Sequence, residues 1–288
     1  MKNLKKSTFK YLILAIGFLI VSCKQNTEAN KKNQEVVKEE TVTPKNEIAK
    51  LMIEDYFSGA NFMRVIANKE NGLNLTEEQN NVFNSWMSEN HVKVQKIMKN
   101  ISDLELEIVT LSKNKANVDQ LLDKVKEAGK LRKDIATIKL ECRDHIIRTL
   151  KDDQWAKLIT SYGENYPFVE KTEMLDVITH VNPVPNYMQA INTNSEELNI
   201  TDSQSKKISQ WSNTHHPKMM EKASKIITLE KEINEASVLK TSKDKILEKV
   251  NAIEQIRVGI VTTKTNCRDE VSKILTDDQW NALIEKMM

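Results

Sequence analysis

Two matching segments of this 288-residue chain carry cysteine in a repeated setting. They are "CRDHIIRTLKDDQW", from Cys142 to Trp155, and "CRDEVSKILTDDQW", from Cys267 to Trp280, and they are separated by 125 residues. Three hypotheses fit these thiols. Each is a small buried side chain, or the two form a disulfide in an oxidising compartment, or each belongs to a metal site.

Histidine and methionine supply the partners that a metal site needs. If the chain forms a helical hairpin that turns near residue 115, position 91 lies opposite position 140. His91 is then expected near Cys142, and His216 near Cys267. The other candidate ligands lie in the second half of the chain: His180, His215, Met219 and Met220. Thiolate, thioether and imidazole groups suit Zn²⁺ or copper, so these are the metals that the residues could bind. We expect no cofactor to be required.

The sequence lacks the motifs of common catalytic sites. It has no glycine-rich phosphate loop, no G-x-S-x-G element and no Ser/His/Asp set in a recognisable frame. We therefore predict that the protein is not an enzyme.

An internal repeat organises the chain. Residues at a constant shift of 125 match without a gap, among them Trp86 with Trp211 and Arg132 with Arg257. We predict a first repeat over residues 48–163, a linker over 164–185 that contains three of the five prolines, and a second repeat over 186–288. The four tryptophans are expected to be core anchors.

Within each repeat the apolar residues recur at helical spacing. The steps between them alternate three and four, and only six glycines interrupt the chain. This pattern predicts an all-α fold of two tandem repeats, each a long antiparallel α-hairpin with short flanking helices. Asp119 and Asp244 are expected to cap the second helix of each hairpin. Arg143 and Asp144 are expected either to pair with charges across the hairpin or to be solvated.

A five-residue signal with leucine, threonine and glutamine brackets each hairpin. Threonine at the N-cap can bond the amide three residues on, while the glutamine there reaches back, as in a capping box. In "LKDDQ" a lysine replaces the threonine, so we expect a weaker cap there. The residues of the four motifs are Leu75, Thr76 and Gln79; Leu150 and Gln154; Ile200, Thr201 and Gln204; and Leu275, Thr276 and Gln279.

These paired LTxxQ motifs around a hairpin of this length resemble the periplasmic Spy/CpxP-like proteins, which include zinc-resistance-associated relatives. The resemblance covers roughly residues 61–162 and 186–287. It implies a curved helical pseudo-dimer within one chain, or a homodimer, that binds unfolded or misfolded envelope proteins without ATP. It also leaves a second function open, that of an envelope protein for metal resistance or sensing. The family's chaperones usually carry a strongly basic binding surface, which this chain lacks.

The N-terminus has the features of a bacterial lipoprotein signal. A basic start, a short apolar run from Tyr11 to Val21 and the sequence "IVSC" predict a signal peptide over residues 1–22 and a lipid on Cys23. Residues 23–47 read as a disordered tether, and Lys24 favours the outer membrane. The leader holds four lysines and no acidic residue, so its removal changes the net charge from +2 to −2. A near-neutral exported protein is not expected to bind nucleic acid, and only its lipid is expected to contact the membrane.

Overall fold

The computed structural model describes residues 59–68, 72–165 and 182–287. These residues form helices and no strand, which confirms the all-α prediction. Within these ranges there are eight helices: α1 (Met63–Ala67), α2 (Glu77–Lys113), α3 (Val118–Thr149), α4 (Asp152–Asn165), α5 (Tyr187–Thr193), α6 (Asp202–Val238), α7 (Lys243–Ile274) and α8 (Asp277–Lys286). Helices α2 and α6 each have 37 residues, and α3 and α7 each have 32.

Helices α2 and α3 form the first helix pair, and α6 and α7 form the second. Glu105 of α2 meets Arg132 of α3 at 2.8 Å, whereas Gln79 near the start of α2 bonds the carbonyl of Thr149 at the end of α3. The two helices therefore run in opposite directions. Many of the apolar positions that the helical period selected are buried, whereas others, such as Val94 and Ile138, are half-buried. The buried ones are Ile101, Leu104, Ile108, Leu121, Val125, Ile135 and, in the second pair, Ile226, Ile233, Ile246, Val250, Ile253 and Ile260.

The predicted capping boxes are present at Thr76, Thr201 and Thr276, where each threonine accepts from the amide of the motif glutamine. At Lys151 only half of the box remains, because the lysine amide donates to Gln154 but no hydroxyl caps the helix. The predicted caps at the second helix of each pair were wrong. Helix α3 is capped by Asn117, and α7 begins after Ser242, so both aspartates lie in the first turn. A carboxylate there still interacts favourably with the positive end of the helix dipole.

The motif glutamines also join the two ends of each helix pair. The side-chain amides of Gln79 and Gln154 bond each other in both directions, at 2.9 and 3.1 Å. Gln204 and Gln279 do the same at 2.7 and 3.2 Å. Gln154 also donates to the carbonyl of Asn74, which adopts a left-handed backbone conformation with φ of 48°. Each pair of LTxxQ motifs is thus one hydrogen-bonded unit that holds a helix start against the opposite helix end.

The two helix pairs contact each other reciprocally. Helix α3 packs along α7, and the connection at the tip of each pair reaches the other half of the molecule. The ammonium of Lys115, at the tip of the first pair, lies 4.6 Å from the ring centre of Trp280. The ammonium of Lys240, at the tip of the second pair, lies 5.0 Å from that of Trp155. Both lysines have a positive φ, 56° and 57°, so the tips share one turn geometry.

A buried charge cluster lies where α3 crosses α7. Glu254 places one carboxylate oxygen 3.2 Å from Arg132 and the other 3.4 Å from Arg257, while Glu105 holds Arg132 from the other side. Burial acts to lower the pKa of Arg132, but the two carboxylates outweigh it and raise that pKa above its ordinary value. Gly129 faces Glu254, and a Cβ there would lie only 2.8 Å from its carboxylate. The glycine makes room for the bridging carboxylate.

The arginines of the two "CRD" segments are buried, so of the two alternatives for Arg143 a solvated charge is excluded. Arg268 is only 1% exposed. It donates to the carbonyls of Ser112 and Ala116, at 3.2 and 2.7 Å, and so satisfies the end of α2 in the other helix pair. Arg143 is buried as well and bonds the aspartate that follows it. Arg268 thus bonds across the contact between helix pairs instead of across its own pair.

Candidate functional site

A pocket of about 90 Å³ lies between the start of α5, the middle of α6 and the last third of α7. Its most distinctive lining is a set of sulfur and imidazole side chains. These are Met188 from α5, His215, His216, Met219 and Met220 from α6, and Cys267 from α7. The helical period explains why four of them come from one helix, since residues three and four apart share a face. The structure therefore brings together most of the second-half residues that the sequence selected as candidate ligands.

Two features of α6 shape this pocket. Trp211 stacks on His215, with ring centres 4.1 Å apart and planes 21° from parallel, which fixes the imidazole plane. Pro217 lies inside the helix and has no N–H, so the carbonyl of Asn213 receives no amide bond from it. The ordinary helical hydrogen-bond pattern is therefore interrupted beside the histidines. Trp211 is a half-buried pocket wall, whereas Trp155 and Trp280 are the buried anchors that the sequence predicted.

Burial governs the chemistry of the two ionisable groups on α7. It raises the pKa of the Cys267 thiol to about 12, although the nearby Lys264 acts in the opposite direction. Burial also lowers the pKa of Lys264 to about 8. The lysine ammonium donates to the carbonyl of Val184 at 2.9 Å. At neutral pH the Cys267 thiol is protonated, so a metal ion must displace the proton before it can bind the sulfur as a thiolate.

The described ranges contain no group of three His, Cys, Asp or Glu side chains placed to hold a metal ion. His215, His216 and Cys267 therefore line one pocket without forming a ready-made trio. The nearby thioethers of Met219 and Met220 are the further donors that the pocket offers to a soft metal.

The contact found for Cys142 is with a tryptophan and not with the expected His91. His91 is exposed on α2. The Cys142 thiol instead bonds the indole of Trp86, and His145, one turn along from the cysteine, stacks on that indole at 5.0 Å. Burial raises the pKa of this thiol also to about 12. Trp86 and Cys142 both pack against the apolar cluster that contains Phe83 and Ile146.

The structure does not form the disulfide between Cys142 and Cys267, and both thiols are free. They pack in separate apolar clusters at opposite ends of the contact between α3 and α7. Glu141 meets Lys243 at 3.2 Å, which places Cys142 beside the start of α7. Cys267 lies 24 residues further along that helix, roughly 35 Å away at 1.5 Å per residue. Antiparallel packing of the two helices separates the cysteines.

Two predicted site residues, His180 and Cys23, lie outside the described residues. Lys264 lines the pocket but was not identified as a candidate from the sequence. A lysine in a helix is usually solvated, but Lys264 falls four residues after the buried Ile260 and three before Cys267. That spacing places it on the apolar stripe, which is the signal that could have identified it.

Comparison with protein families, with curated proteins and with solved structures gives no match for this chain. None of the helices in residues 59–68, 72–165 and 182–287 is both long and apolar enough to cross a membrane. The fold and the site thus define a class by their physical features alone. In the described ranges the chain is all-helical, with two helix pairs whose ends are joined by the motif glutamines and with a pocket of soft donor groups.

Proposed function

We propose that the protein is a lipid-anchored envelope chaperone of the Spy/CpxP-like kind, which binds unfolded or misfolded envelope proteins without ATP and catalyses no reaction. In this proposal the chain is a tandem duplication. Each repeat is an antiparallel α-hairpin with short flanking helices, and the two hairpins form a pseudo-dimer.

The reciprocal tip contacts carry this proposal. Lys115 of the first hairpin covers Trp280, and Lys240, its counterpart at the shift of 125 residues, covers Trp155. Such reciprocity is what a two-fold related pair of equivalent units produces. The joined glutamines of the LTxxQ motifs support the resemblance further, because they give the motif a physical role at both ends of each hairpin.

Client binding would rest on exposed apolar side chains among charged ones. Val92 and Leu106 of α2 are 66% and 69% exposed. They are 14 residues apart, which places them about 40° apart around the helix and about 21 Å apart along it. Single apolar side chains in a charged surface give weak contacts, which suits reversible binding of many sequences.

The experiment measures aggregation of a denatured model client with the mature chain. We expect suppression at equal or several-fold molar excess, and weaker suppression by a Val92→Ser, Leu106→Ser variant. Leu239→Ser is the matched control, because Leu239 is 76% exposed but lies at the tip of the second hairpin. Surface changes of this kind alter stability by less than about 0.5 kcal/mol, so loss of folding does not confuse the result. If the unaltered chain suppresses no aggregation, the chaperone proposal is wrong.

The proposed location is the periplasmic face of the outer membrane, with the lipid on Cys23 as the only membrane attachment. A Cys23→Ser variant is expected to leave the membrane fraction and lose incorporation of labelled fatty acid. Continued labelling of that variant would rule out this anchor.

The pocket between α5, α6 and α7 favours a second candidate function, binding of zinc or copper in metal resistance or sensing. It gathers two imidazoles, a thiol and three thioethers within one small volume. Metal binding and client binding would use different surfaces, so the two functions can be tested separately.

A further inference from the structure

Two His-x-x-x-Met pairs line the α6 wall of the pocket. His215 and Met219 are four residues apart, as are His216 and Met220, and all four side chains reach the pocket. Side chains at this spacing are neighbours on a helix, with Cβ atoms about 6 Å apart. Cys267 faces them from α7. His215 and Met219 can therefore supply one nitrogen and one sulfur to a single ion, Met220 a second thioether and Cys267 a fourth donor.

We propose that this pocket binds one Cu⁺ ion through the thioethers of Met219 and Met220, the imidazole of His215 and the sulfur of Cys267. The inference rests on the second candidate function and narrows it to one metal and one oxidation state. Cu⁺ is a soft ion that thioether and thiolate donors select.

The donor set argues against Zn²⁺ as the resident ion. Structural zinc takes four ligands, in tetrahedral geometry, from cysteine, histidine and carboxylate. No aspartate or glutamate lines the pocket, and the described part of the chain has no trio of His, Cys, Asp or Glu side chains placed to hold a metal ion. Two of the four proposed donors are thioethers, which suit Cu⁺ better than Zn²⁺. The pocket chemistry therefore discriminates between the two metals that the sequence left open.

Burial of the thiol is compatible with binding of a monovalent ion. When Cu⁺ binds, the S–H bond of Cys267 breaks, a Cu–S bond forms and the proton leaves to solvent. The pocket exchanges one proton for one monovalent cation, and its net charge does not change. A divalent ion would leave one additional positive charge beside the ammonium of Lys264, which is unfavourable in a buried site.

The first half of the chain lacks the same donors. At the shift of 125 residues, Asn90, Val94 and Gln95 stand in place of His215, Met219 and Met220. Cys142 and His91 do match Cys267 and His216 at this shift, but the Cys142 sulfur is hydrogen-bonded by Trp86. We therefore expect one ion per chain.

The test is an anaerobic titration of the mature full-length chain with Cu⁺, in competition with a chromophoric Cu⁺ chelator. We expect one tightly bound ion per chain. A Met219→Leu, Met220→Leu variant, which nearly conserves side-chain volume, should bind at least about tenfold more weakly. Cys267→Ser should weaken binding similarly. The matched controls are Met87→Leu with Met98→Leu, and Cys142→Ser, which change the first half of the chain and should leave Cu⁺ affinity unchanged.

Far-ultraviolet circular dichroism of every variant establishes that loss of binding is not loss of folding. Because Cys267 is buried, the methionine variant is the decisive one if the serine variant unfolds. Equal Cu⁺ affinity in the methionine variant overturns the proposed site. Binding of Zn²⁺ without Cu⁺ leaves the metal-binding function in place and overturns the Cu⁺ assignment, whereas binding of neither ion overturns both. Client aggregation, measured on the methionine variant, should be suppressed as by the unaltered chain, so the chaperone proposal is tested independently.

Discussion

The buried charge cluster at the crossing of α3 and α7 allows a direct test of the relation between the two halves of the chain. Gly129 and Glu254 occupy matched positions at the shift of 125 residues, as do Arg132 and Arg257. One carboxylate bridges both guanidiniums, and the matched position on the other helix has no side chain. If the two helices are related by a two-fold axis, exchange of glycine and glutamate should move the carboxylate to the position related by that axis. Both arginines should then remain paired.

The single changes should each be strongly destabilising. Glu254→Gly removes a partner of both buried arginines, and breaking a buried ion pair costs about 3–5 kcal/mol. The new glycine within a helix adds up to about 1 kcal/mol. Gly129→Glu places a Cβ 2.8 Å from the Glu254 carboxylate. Overpacking of this kind costs about 1–3 kcal/mol, and repulsion between the two carboxylates adds to it.

The double variant Gly129→Glu, Glu254→Gly should recover most of that loss. It keeps one carboxylate, one glycine and two guanidiniums in the cluster, so its free energy of unfolding should lie within about 1–2 kcal/mol of the unaltered chain. Independent sites would instead add to within about 0.5 kcal/mol. The sum of the single effects is then at least about 4 kcal/mol, well separated from the expected value.

Urea unfolding followed by circular dichroism measures all three variants. Gly163→Glu is the matched control for the glycine change, because Gly163 is exposed in α4 and a Cβ there meets nothing within 4 Å. Its replacement should stabilise the chain by a few tenths to about 1 kcal/mol, through helix propensity alone. A double variant as unstable as the sum of its parts would refute the two-fold relation.

Three further outcomes are expected from the same contacts. Gln79→Leu removes the bonds of the Gln79 amide to the Gln154 side chain and to the Thr149 carbonyl, and should cost about 1–3 kcal/mol, measured by urea unfolding. Arg268→Lys cannot span both carbonyls of the first helix pair, so we expect a loss of about 1.5–3 kcal/mol and a lower Tm in calorimetry. Both described thiols have a pKa raised to about 12 by burial, so alkylation near neutral pH should be much slower in the folded chain than in urea. Fast alkylation of the folded chain would contradict their burial.

The helical architecture could be predicted from the sequence because its signals are local. Apolar residues that recur at alternating spacings of three and four positions indicate the buried face of a helix. Threonine followed three positions later by glutamine indicates a helix start. The cap at Asn117 was missed because Asp119 is also a good capping residue two positions later. Local preference ranks such residues almost equally, and only the geometry of the turn decides between them.

Contacts between the helix pairs could not be predicted in this way. Cys142 and Cys267 were candidates for a disulfide, but antiparallel packing of α3 on α7 brings Gly129 and Glu254 together instead. The cysteines lie far from this crossing, whereas Arg132 and Arg257 lie beside it and share a carboxylate.

Part of the pocket lining was named from the sequence, since His215, Met219 and Met220 were candidate ligands, but the contribution of Trp211 depends on a rotamer that the sequence does not encode locally. In the first half of the chain, the indole of Trp86 bonds the Cys142 sulfur. In the second half, Trp211 stacks on His215, and Cys267 lines an open pocket.

In the repeated "CRD" segment the arginine therefore has the same structural role in both halves, whereas the cysteine has a different environment in each. The arginine at the second position is buried in both halves, and Arg268 holds the tip of the other helix pair. The cysteine before it is a packed side chain in the first half and a pocket wall in the second. The described residues thus keep a buried arginine and a pair of joined motif glutamines in both halves, whereas the pocket of soft donors lies beside Cys267.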